Sequence, residues 1–184
     1  MKDLGATKKI LGMEISRNRS IGKLFLSQQA YVKKVLKRFN MNNAKPVTIS
    51  FAAHFKLSAD MSSKIDEEME HMSSVPYLSV IGSIMYAMVY TRPDIFLVVS
   101  VVSRYMACPK KEHWQAVKWI LRYFKGTTYV GLTFDRAKMS DSVIGYVDSD
   151  FAGDLDKRRS LTVQYFRFIS VESNVEFKLS SSSI

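Results

Sequence analysis

Three prolines divide the middle of the sequence into segments of helical length, and this punctuation constrains the fold more than any other feature. Pro76, Pro93 and Pro109 each open such a segment, and Gly126 follows the third. Proline is favoured in the first turn of a helix, where its missing N–H has no intrahelical partner to lose. Glycine is favoured just after a helix end. The pattern therefore predicts three consecutive helices.

Apolar residues in the first and third segments recur every three to four positions, as expected of helices with one buried side. They are Tyr77, Val80, Ile81, Ile84, Met85 and Met88 in the first segment, and Val117, Ile120, Leu121 and Phe124 in the third. The second segment, through about Tyr105, is rich in β-branched residues, so a strand competes with a helix there. Gly82 predicts the close approach of another element.

Rough alternation of apolar and polar residues in KKILGMEIS and KLFLSQ, with Gly22 beside the intervening turn, predicts a β-hairpin. Ser27 is placed to cap a following helix, QQAYVKKVLKRFN. The apolar side of that helix comprises Val32, Val35, Leu36 and Phe39. Residues 40–74 are predicted to be a linker with a short helix near Ile65–His71. After Gly126 the period shifts towards two, and TYVGLTF, SVIGYVD and VQYFRFIS are predicted strands.

Positive charge is concentrated in two blocks of a chain whose formal net charge is +10. Residues 1–40 carry ten Lys or Arg against two Asp or Glu, and residues 76–126 carry seven against two. The helical cations that lie away from the apolar sides are Lys33, Lys34, Lys37, Arg38, Lys111, Lys118, Arg122 and Lys125. They predict contacts with phosphate backbones, with solvated surface helices as the alternative.

Composition narrows which kinds of core, cysteine site and membrane segment the chain can form. Apolar residues make up 47% of the chain, enough for a core. Cys108 is the single cysteine, so an internal disulfide or a Cys–His zinc set is excluded, and a buried, inert thiol is expected. No signal-peptide core and no apolar run of spanning length occur. We expect an intracellular protein, cytoplasmic or nuclear, with no membrane partner.

Five strings, in this order, resemble the Pol polyprotein of copia-type long-terminal-repeat retrotransposons over about residues 1–162. They are KKILGMEI, KLFLSQQAYVKKVLKRFNM, YLSVIGSIMYAMVYTRPDI, VVSRYMACPKKEHWQAVKWILRYFKGT and GYVDSDFAGDLDKRRSLT. The resemblance implies that residues 1–50 end a reverse transcriptase domain, 51–126 form a helical connecting region and 127–184 are a truncated N-terminal part of an RNase H-like domain. The predicted fold class is thus α+β: an N-terminal β-hairpin plus helix, a central helical region and a C-terminal incomplete RNase H-like sheet.

The resemblance also implies a function and a site. The family copies RNA into DNA and degrades the RNA strand of the hybrid, so an RNA/DNA hybrid or other nucleic acid is the implied partner, together with the missing parts of the polyprotein. YVDSD matches the first RNase H strand, which makes Asp148 a catalytic carboxylate and metal ligand, with Asp150 as a neighbour. Mg²⁺ is the implied cofactor, since it takes oxygen ligands and paired ions clamp a reacting phosphodiester. Asp154 and Asp156 are typical of a polar turn.

The sequence departs from the family's catalytic pattern. The polymerase string Tyr-x-Asp-Asp, which in the family precedes KKILGMEI, does not occur, and Glu172 and Glu176 come too early to be the RNase H glutamate. One carboxylate cannot hold two metals, so we expect this polypeptide alone to be inactive and not to bind Mg²⁺. The first alternative is a residual non-catalytic basic nucleic-acid-binding module. A second is an interaction scaffold through an exposed apolar helix 76–90.

Overall fold

A computed structural model describes residues 7–52, 55, 57, 66–135, 143–154 and 159–168. Within them lie a four-stranded antiparallel sheet, a group of packed helices and a separate two-stranded sheet. This arrangement confirms the predicted α+β class. Glu172, Glu176 and Asp156 lie outside the described residues. None of the helices in the described part of the chain is long and apolar enough to span a bilayer.

The larger sheet combines the N-terminal hairpin with one strand from much later in the chain. Its strands, in spatial order, are β1 (Lys9–Ile10), β2 (Met13–Asn18), β3 (Lys23–Ser27) and β4 (Gly131–Asp135). The pairing of β2 with β3 confirms the predicted hairpin. The fourth strand confirms TYVGLTF as a strand, but its partner is β3 of the N-terminal part. The predicted part boundaries, at residues 50 and 126, stay predictions.

A close backbone contact explains how β4 fits beside β3. Gly131 lies opposite Ser27 in the register, and a Cβ added to Gly131 would overlap the carbonyl oxygen of Leu26. This pairing keeps Ser27 in the strand, and the N-cap position of the next helix is Gln28, without a side-chain cap. The predicted capping by Ser27 is therefore wrong.

The helices are α1 (Gln29–Arg38), α2 (Asp66–Ser73), α3 (Tyr77–Tyr90), α4 (Phe96–Ser103) and α5 (Lys111–Gly126), and a short 3-10 helix (Pro93–Ile95) precedes α4. The three helices predicted from the prolines are confirmed, and the strand alternative for the second is wrong. The prediction of a short helix before the first proline is confirmed by α2. Cys108, predicted to be buried, is exposed in the connection between α4 and α5, where the chain runs over the surface.

The core lies where α1, α3, α4 and α5 meet. Fully buried side chains include Val80, Ile84, Val102, Val117, Ile120 and Phe124. Tyr77 and Ile81 are 2% and 0% exposed, so the prediction of an exposed apolar helix at 76–90 is wrong: its neighbouring helices cover that side. Gly82 is exposed, and an added Cβ would meet no described atom within 4 Å. The predicted close approach at Gly82 is also wrong.

A hydrogen bond fixes the hairpin on the helices. The hydroxyl of Tyr86 on α3 donates to the carbonyl oxygen of Leu11, at 2.7 Å. Leu11 and Gly12 form the turn between β1 and β2 with φ values of 47° and 75°, a left-handed conformation that glycine adopts without strain. The turn is therefore held against α3 across a sequence separation of 75 residues.

The smaller sheet consists of β5 (Val143–Asp154) and β6 (Arg159–Phe168), paired antiparallel. These strands confirm the predictions for SVIGYVD and VQYFRFIS. Asp148 lies opposite Val163, and the pairing is irregular between Asp150 and Asp154. The predicted site strand is therefore a strand, in a two-stranded pairing.

Candidate functional site

Four of the cations predicted to bind nucleic acid lie together on α1, and all four are exposed. This α1 surface consists of Lys33, Lys34, Lys37 and Arg38. It forms because helix positions three and four apart are neighbours on the surface, while Val32, Val35 and Leu36 bury the other side. Among the described residues, no carboxylate lies within ion-pair distance of these four cations. Their charges are available to a ligand from solvent.

Two of the α5 cations are instead engaged within the molecule. The Nε atom of Arg122 donates to the carbonyl oxygen of Lys45 at 2.7 Å, and the Nζ atom of Lys125 donates to that of Asn42 at 2.6 Å. The Arg122 guanidinium also lies 4.9 Å from the ring centre of Trp119. These half-buried cations hold a loop on the helix.

The loop that covers α5 is residues 42–49, which follow the α1 helix. The Nε1 atom of Trp119 donates to the carbonyl oxygen of Ile49 at 3.0 Å. A Cβ added to Gly126 would lie 3.1 Å from the carbonyl oxygen of Val47. Of the remaining predicted cations, Lys111 is exposed, and the half-buried Lys118 lies 5.9 Å from a tryptophan ring centre. Two of the four cations in the predicted basic stripe of α5 therefore hold this loop, and the other two do not.

A buried ion pair that sequence reasoning missed lies where α3, α4 and α5 meet. Arg92 is 1% exposed and donates twice to Asp94, from Nε to Oδ1 at 2.8 Å and from Nη2 to Oδ2 at 2.7 Å. It also donates to the carbonyl and hydroxyl oxygens of Thr127, at 3.0 and 2.9 Å. The guanidinium lies 5.3 and 5.0 Å from the ring centres of Tyr123 and Phe124. All of these contacts are internal.

Two hydroxyl groups extend the ion pair into a cluster that joins four elements. Tyr123 donates to Oδ2 of Asp94 at 3.0 Å. Burial and the nearby Asp94 charge raise the pKa of Tyr123 to about 12, so the phenol stays protonated and able to donate. Thr91 donates to Oε1 of Gln28 at 2.7 Å, which reaches the start of α1. The Arg92 cluster is Gln28, Thr91, Arg92, Asp94, Tyr123 and Thr127.

The signal for this cluster is in the string TRPD. It places an arginine and an aspartate two positions apart between two long apolar segments, and the sequence analysis drew no ion pair from it. Because the flanking segments are apolar, such a charge pair is expected to be buried with them. Buried charges in proteins are usually paired. The Nε2 atom of Gln28 is buried without a hydrogen-bond partner among the described residues, and the hydrogen bonds of the other side chains in the cluster are internal. The cluster is therefore structural.

The structure does not test the predicted role of Asp148 as a metal ligand, so that role stays a prediction. Asp148 and Asp150 occupy alternate positions of β5, opposite Val163 and Leu161. The paired strand β6, from Arg159 to Phe168, contains no Asp or Glu. In the described part of the chain, no three His, Cys, Asp or Glu side chains come together in a way that could hold a metal ion.

Sequence comparisons find retrovirus-related Pol polyproteins from transposons among the relatives of this chain. The chain is 54% identical over 169 residues to the retrovirus-related Pol polyprotein from transposon TNT 1-94 of Nicotiana tabacum, a match that covers 91% of this chain and 12% of that protein. It is 38% identical over 156 residues to the retrovirus-related Pol polyprotein from transposon RE1 of Arabidopsis thaliana, covering 85% of this chain and 10% of that protein.

One shorter match is to a protein that is not named as a Pol polyprotein. The chain is 47% identical over 96 residues to the secreted RxLR effector protein 161 of Plasmopara viticola, which covers 52% of this chain and 67% of that protein. No protein-family model matches the sequence, and no solved structure matches the chain. The chain spans about a tenth of the length of the two Pol polyproteins.

Proposed function

Because the chain belongs to the family of retrovirus-related Pol polyproteins from copia-type transposons, we propose that it is a Pol segment that binds nucleic acid and is not catalytic by itself. In this proposal residues 1–50 end the reverse transcriptase domain, 51–126 connect, and 127–184 begin the RNase H domain. The intact polyprotein would copy RNA into DNA and degrade the RNA of the hybrid. This segment would supply contacts to the nucleic-acid backbone.

The observation that carries the proposal is the α1 surface. Its four cations are exposed, adjacent and without a carboxylate partner in the described part of the chain. A protein that neutralises phosphates releases the counterions condensed on them, and this release favours binding without regard to sequence. Exposed lysine and arginine on one side of a helix are the electrostatic pattern typical of such binding.

The proposal excludes catalysis by the 184-residue polypeptide because its donor set does not fit paired Mg²⁺ ions. Two-metal phosphodiester chemistry requires several carboxylates around two ions. Asp148 comes from β5, and β6 beside it contributes no acidic residue. The polymerase motif Tyr-x-Asp-Asp is absent from the sequence.

The scaffold alternative loses its basis, because the apolar side of α3 is buried by α1, α4 and α5. The choice that remains lies between a binding segment and one without nucleic-acid affinity.

An experiment on the purified 184-residue chain tests both halves of the proposal. A labelled duplex and an RNA/DNA hybrid of equal length are titrated with protein over a series of salt concentrations, and the hybrid is then incubated with Mg²⁺. We expect binding that weakens steeply with salt, and no cleavage. Absent or salt-insensitive binding contradicts the binding half. Cleavage that disappears in Asp148→Asn contradicts the catalytic half.

A further inference from the structure

A small apolar surface lies where the turn between β1 and β2 meets α3. Ile10 and Leu11 come from the end of β1 and the turn, and Tyr86, Val89 and Tyr90 come from α3. We call these five residues the turn patch. Leu11 is 62% exposed and Val89 is 71% exposed, which places them among the most exposed large apolar side chains of the described residues. Exposed apolar side chains that lie together are typical of a surface that another surface covers.

Measured contacts join the two parts of the turn patch. The hydroxyl of Tyr86 donates to the carbonyl oxygen of Leu11 at 2.7 Å, and the ring centres of Tyr86 and Tyr90 are 4.7 Å apart. Val89 comes three positions after Tyr86, a spacing at which helical residues are neighbours on the surface. The turn and α3 therefore present one surface with a fixed geometry, and such preorganisation lowers the entropy cost of binding a partner.

Leu11 occupies a backbone position that disfavours its side chain. Both central residues of the turn have positive φ values, 47° at Leu11 and 75° at Gly12. Two-residue turns of this kind favour Asn or Asp followed by Gly, because most residues with a Cβ are strained in the left-handed region. The Leu11 side chain is mostly exposed, so packing on the described residues compensates little for that strain. A strained residue without such compensation points to a function at its position.

The size of the turn patch indicates which kind of partner can cover it. Stable complexes between separate proteins bury about 1,200–2,000 Å² in total, whereas the turn patch consists of three exposed side chains and two half-buried rings. A surface this small is not sufficient to hold a separate protein. A partner within the same polypeptide needs less contact area, because the covalent linkage gives it a high effective concentration.

The shortest covalent connection leads to the part of the polyprotein that comes before residue 1. The matched region is about a tenth of the two Pol polyproteins. In the family the polymerase string Tyr-x-Asp-Asp precedes KKILGMEI, the string that contains Ile10 and Leu11. Polypeptide beyond residue 184 is separated from the turn by almost the whole length of this chain, and closing a longer loop costs more entropy.

We propose that the turn patch is the surface on which this chain docks to an apolar surface of the polymerase part of the polyprotein. This inference rests on the proposed function, which places residues 1–50 at the end of the reverse transcriptase domain. Docking holds the hairpin in a fixed position relative to the polymerase part. Through the Tyr86 hydrogen bond it also holds α3, so the α1 surface packed against α3 has a defined direction towards the nucleic acid.

The test compares the 184-residue chain with a fusion that joins residue 1 to the part of the TNT 1-94 Pol polyprotein preceding the matched region. Both proteins carry Cys108→Ser and Val89→Cys, and mass spectrometry follows the reaction of position 89 with a maleimide. We expect this reaction to be about tenfold slower in the fusion or slower still, because a buried thiol reacts only when the contact opens. The matched control is Ile21→Cys at the opposite end of β2, a position 55% exposed, which reacts equally fast in both proteins.

A second substitution separates the Leu11 side chain from the turn that carries it. Leu11→Asn removes the apolar side chain and introduces a residue that the turn favours, so the thermal midpoint of the 184-residue chain is not expected to fall. In the fusion the same substitution is expected to raise the reaction rate at position 89 to that of the 184-residue chain. Leu11→Met keeps an apolar side chain and is expected to preserve the slow reaction.

The other outcomes contradict the docking. An equally fast reaction at position 89 in chain and fusion shows that the polymerase part does not cover the turn patch. A slow reaction already in the 184-residue chain assigns the turn patch to a second copy if the rate depends on concentration, and to another segment of the same chain if it does not. If the fusion is unfolded, the same comparison is made in the TNT 1-94 polyprotein at the position aligned with Val89.

Failure of the proposed function is measured separately. Salt-dependent duplex binding by the 184-residue chain depends on the α1 surface and not on the turn patch. Fast labelling of the fusion together with intact duplex binding contradicts the docking and leaves the binding proposal standing. Absent duplex binding contradicts the binding proposal, and the labelling comparison still decides whether the turn patch is covered.

Discussion

The helices α1 and α5 look alike in sequence, since each has an apolar side and a row of cations, but their cations have different surroundings. The α1 cations are exposed, and no carboxylate pairs with them among the described residues. On α5, Arg122 and Lys125 hydrogen-bond to the loop carbonyls of Lys45 and Asn42. The difference shows that helical periodicity locates a polar side without saying whether water or another segment of the chain covers it.

Arg92 extends this comparison to a cation with almost no exposure. Its guanidinium makes four hydrogen bonds to Asp94 and Thr127. The molecule therefore contains cations in three settings: buried and ion-paired, half-buried on backbone carbonyls, and exposed. If the setting decides the role, removing a buried cation should lower the stability most and removing an exposed one least. Removing an exposed cation should weaken nucleic-acid binding most, and removing a buried one least.

The largest expected effect is that of Arg92→Met. This change leaves the Asp94 carboxylate buried without its cation, and breaking a buried pair from one side costs about 3–5 kcal/mol. We expect the free energy of unfolding in urea to fall by that amount. The matched control is Arg38→Met on the α1 surface, where a change within about 0.5 kcal/mol is expected. Equal losses for the two variants would contradict the distinction between buried and exposed cations.

A smaller effect is expected for Arg122→Gln. The variant loses the hydrogen bond to the Lys45 carbonyl and the stacking on Trp119, and a hydrogen bond of this kind contributes about 1 kcal/mol net. Urea unfolding measures the loss, and hydrogen exchange should show faster exchange of the Val47 amide, which donates to the Arg122 carbonyl. Lys33→Gln on α1 is the control. A loss no greater than that of the control would show that the loop does not depend on α5.

Local signals in the sequence were sufficient for the helices and the hairpin. Pro93 lies in the first turn of the 3-10 helix, Pro76 is the N-cap of α3 and Pro109 directly precedes the N-cap of α5. All three mark helix starts because proline interrupts the element before it. The alternation around Gly22 predicts the β2–β3 pair for an equally local reason. These features depend on neighbours a few residues away, and one sequence is enough to show them.

Contacts between distant segments were not predictable in the same way. The pairing of β4 with β3 joins residues about a hundred positions apart, and periodicity carries no information about strand partners. Gly82 illustrates the same limit. A helical glycine permits another element to approach closely, but the sequence does not show whether one packs there. The string TRPD contains the ion pair of the Arg92 cluster, but the partners Tyr123 and Thr127 lie at the C-terminal end of α5, about 30 positions later. Tertiary packing therefore decided the features that sequence reasoning missed.

The most direct test of the account compares two variants in one salt series on a labelled duplex. Lys33→Gln/Lys34→Gln/Lys37→Gln/Arg38→Gln removes the α1 surface, and Arg122→Gln/Lys125→Gln removes the two cations that hold the loop. With a slope of about 0.9 for each phosphate neutralised on duplex DNA, the first variant is expected to lose up to about 3.6 in slope. The second is expected to keep the wild-type slope. The two variants are compared by the decrease in salt slope for each charge removed. An equal decrease in both would contradict the claim that only the exposed cations bind the nucleic acid.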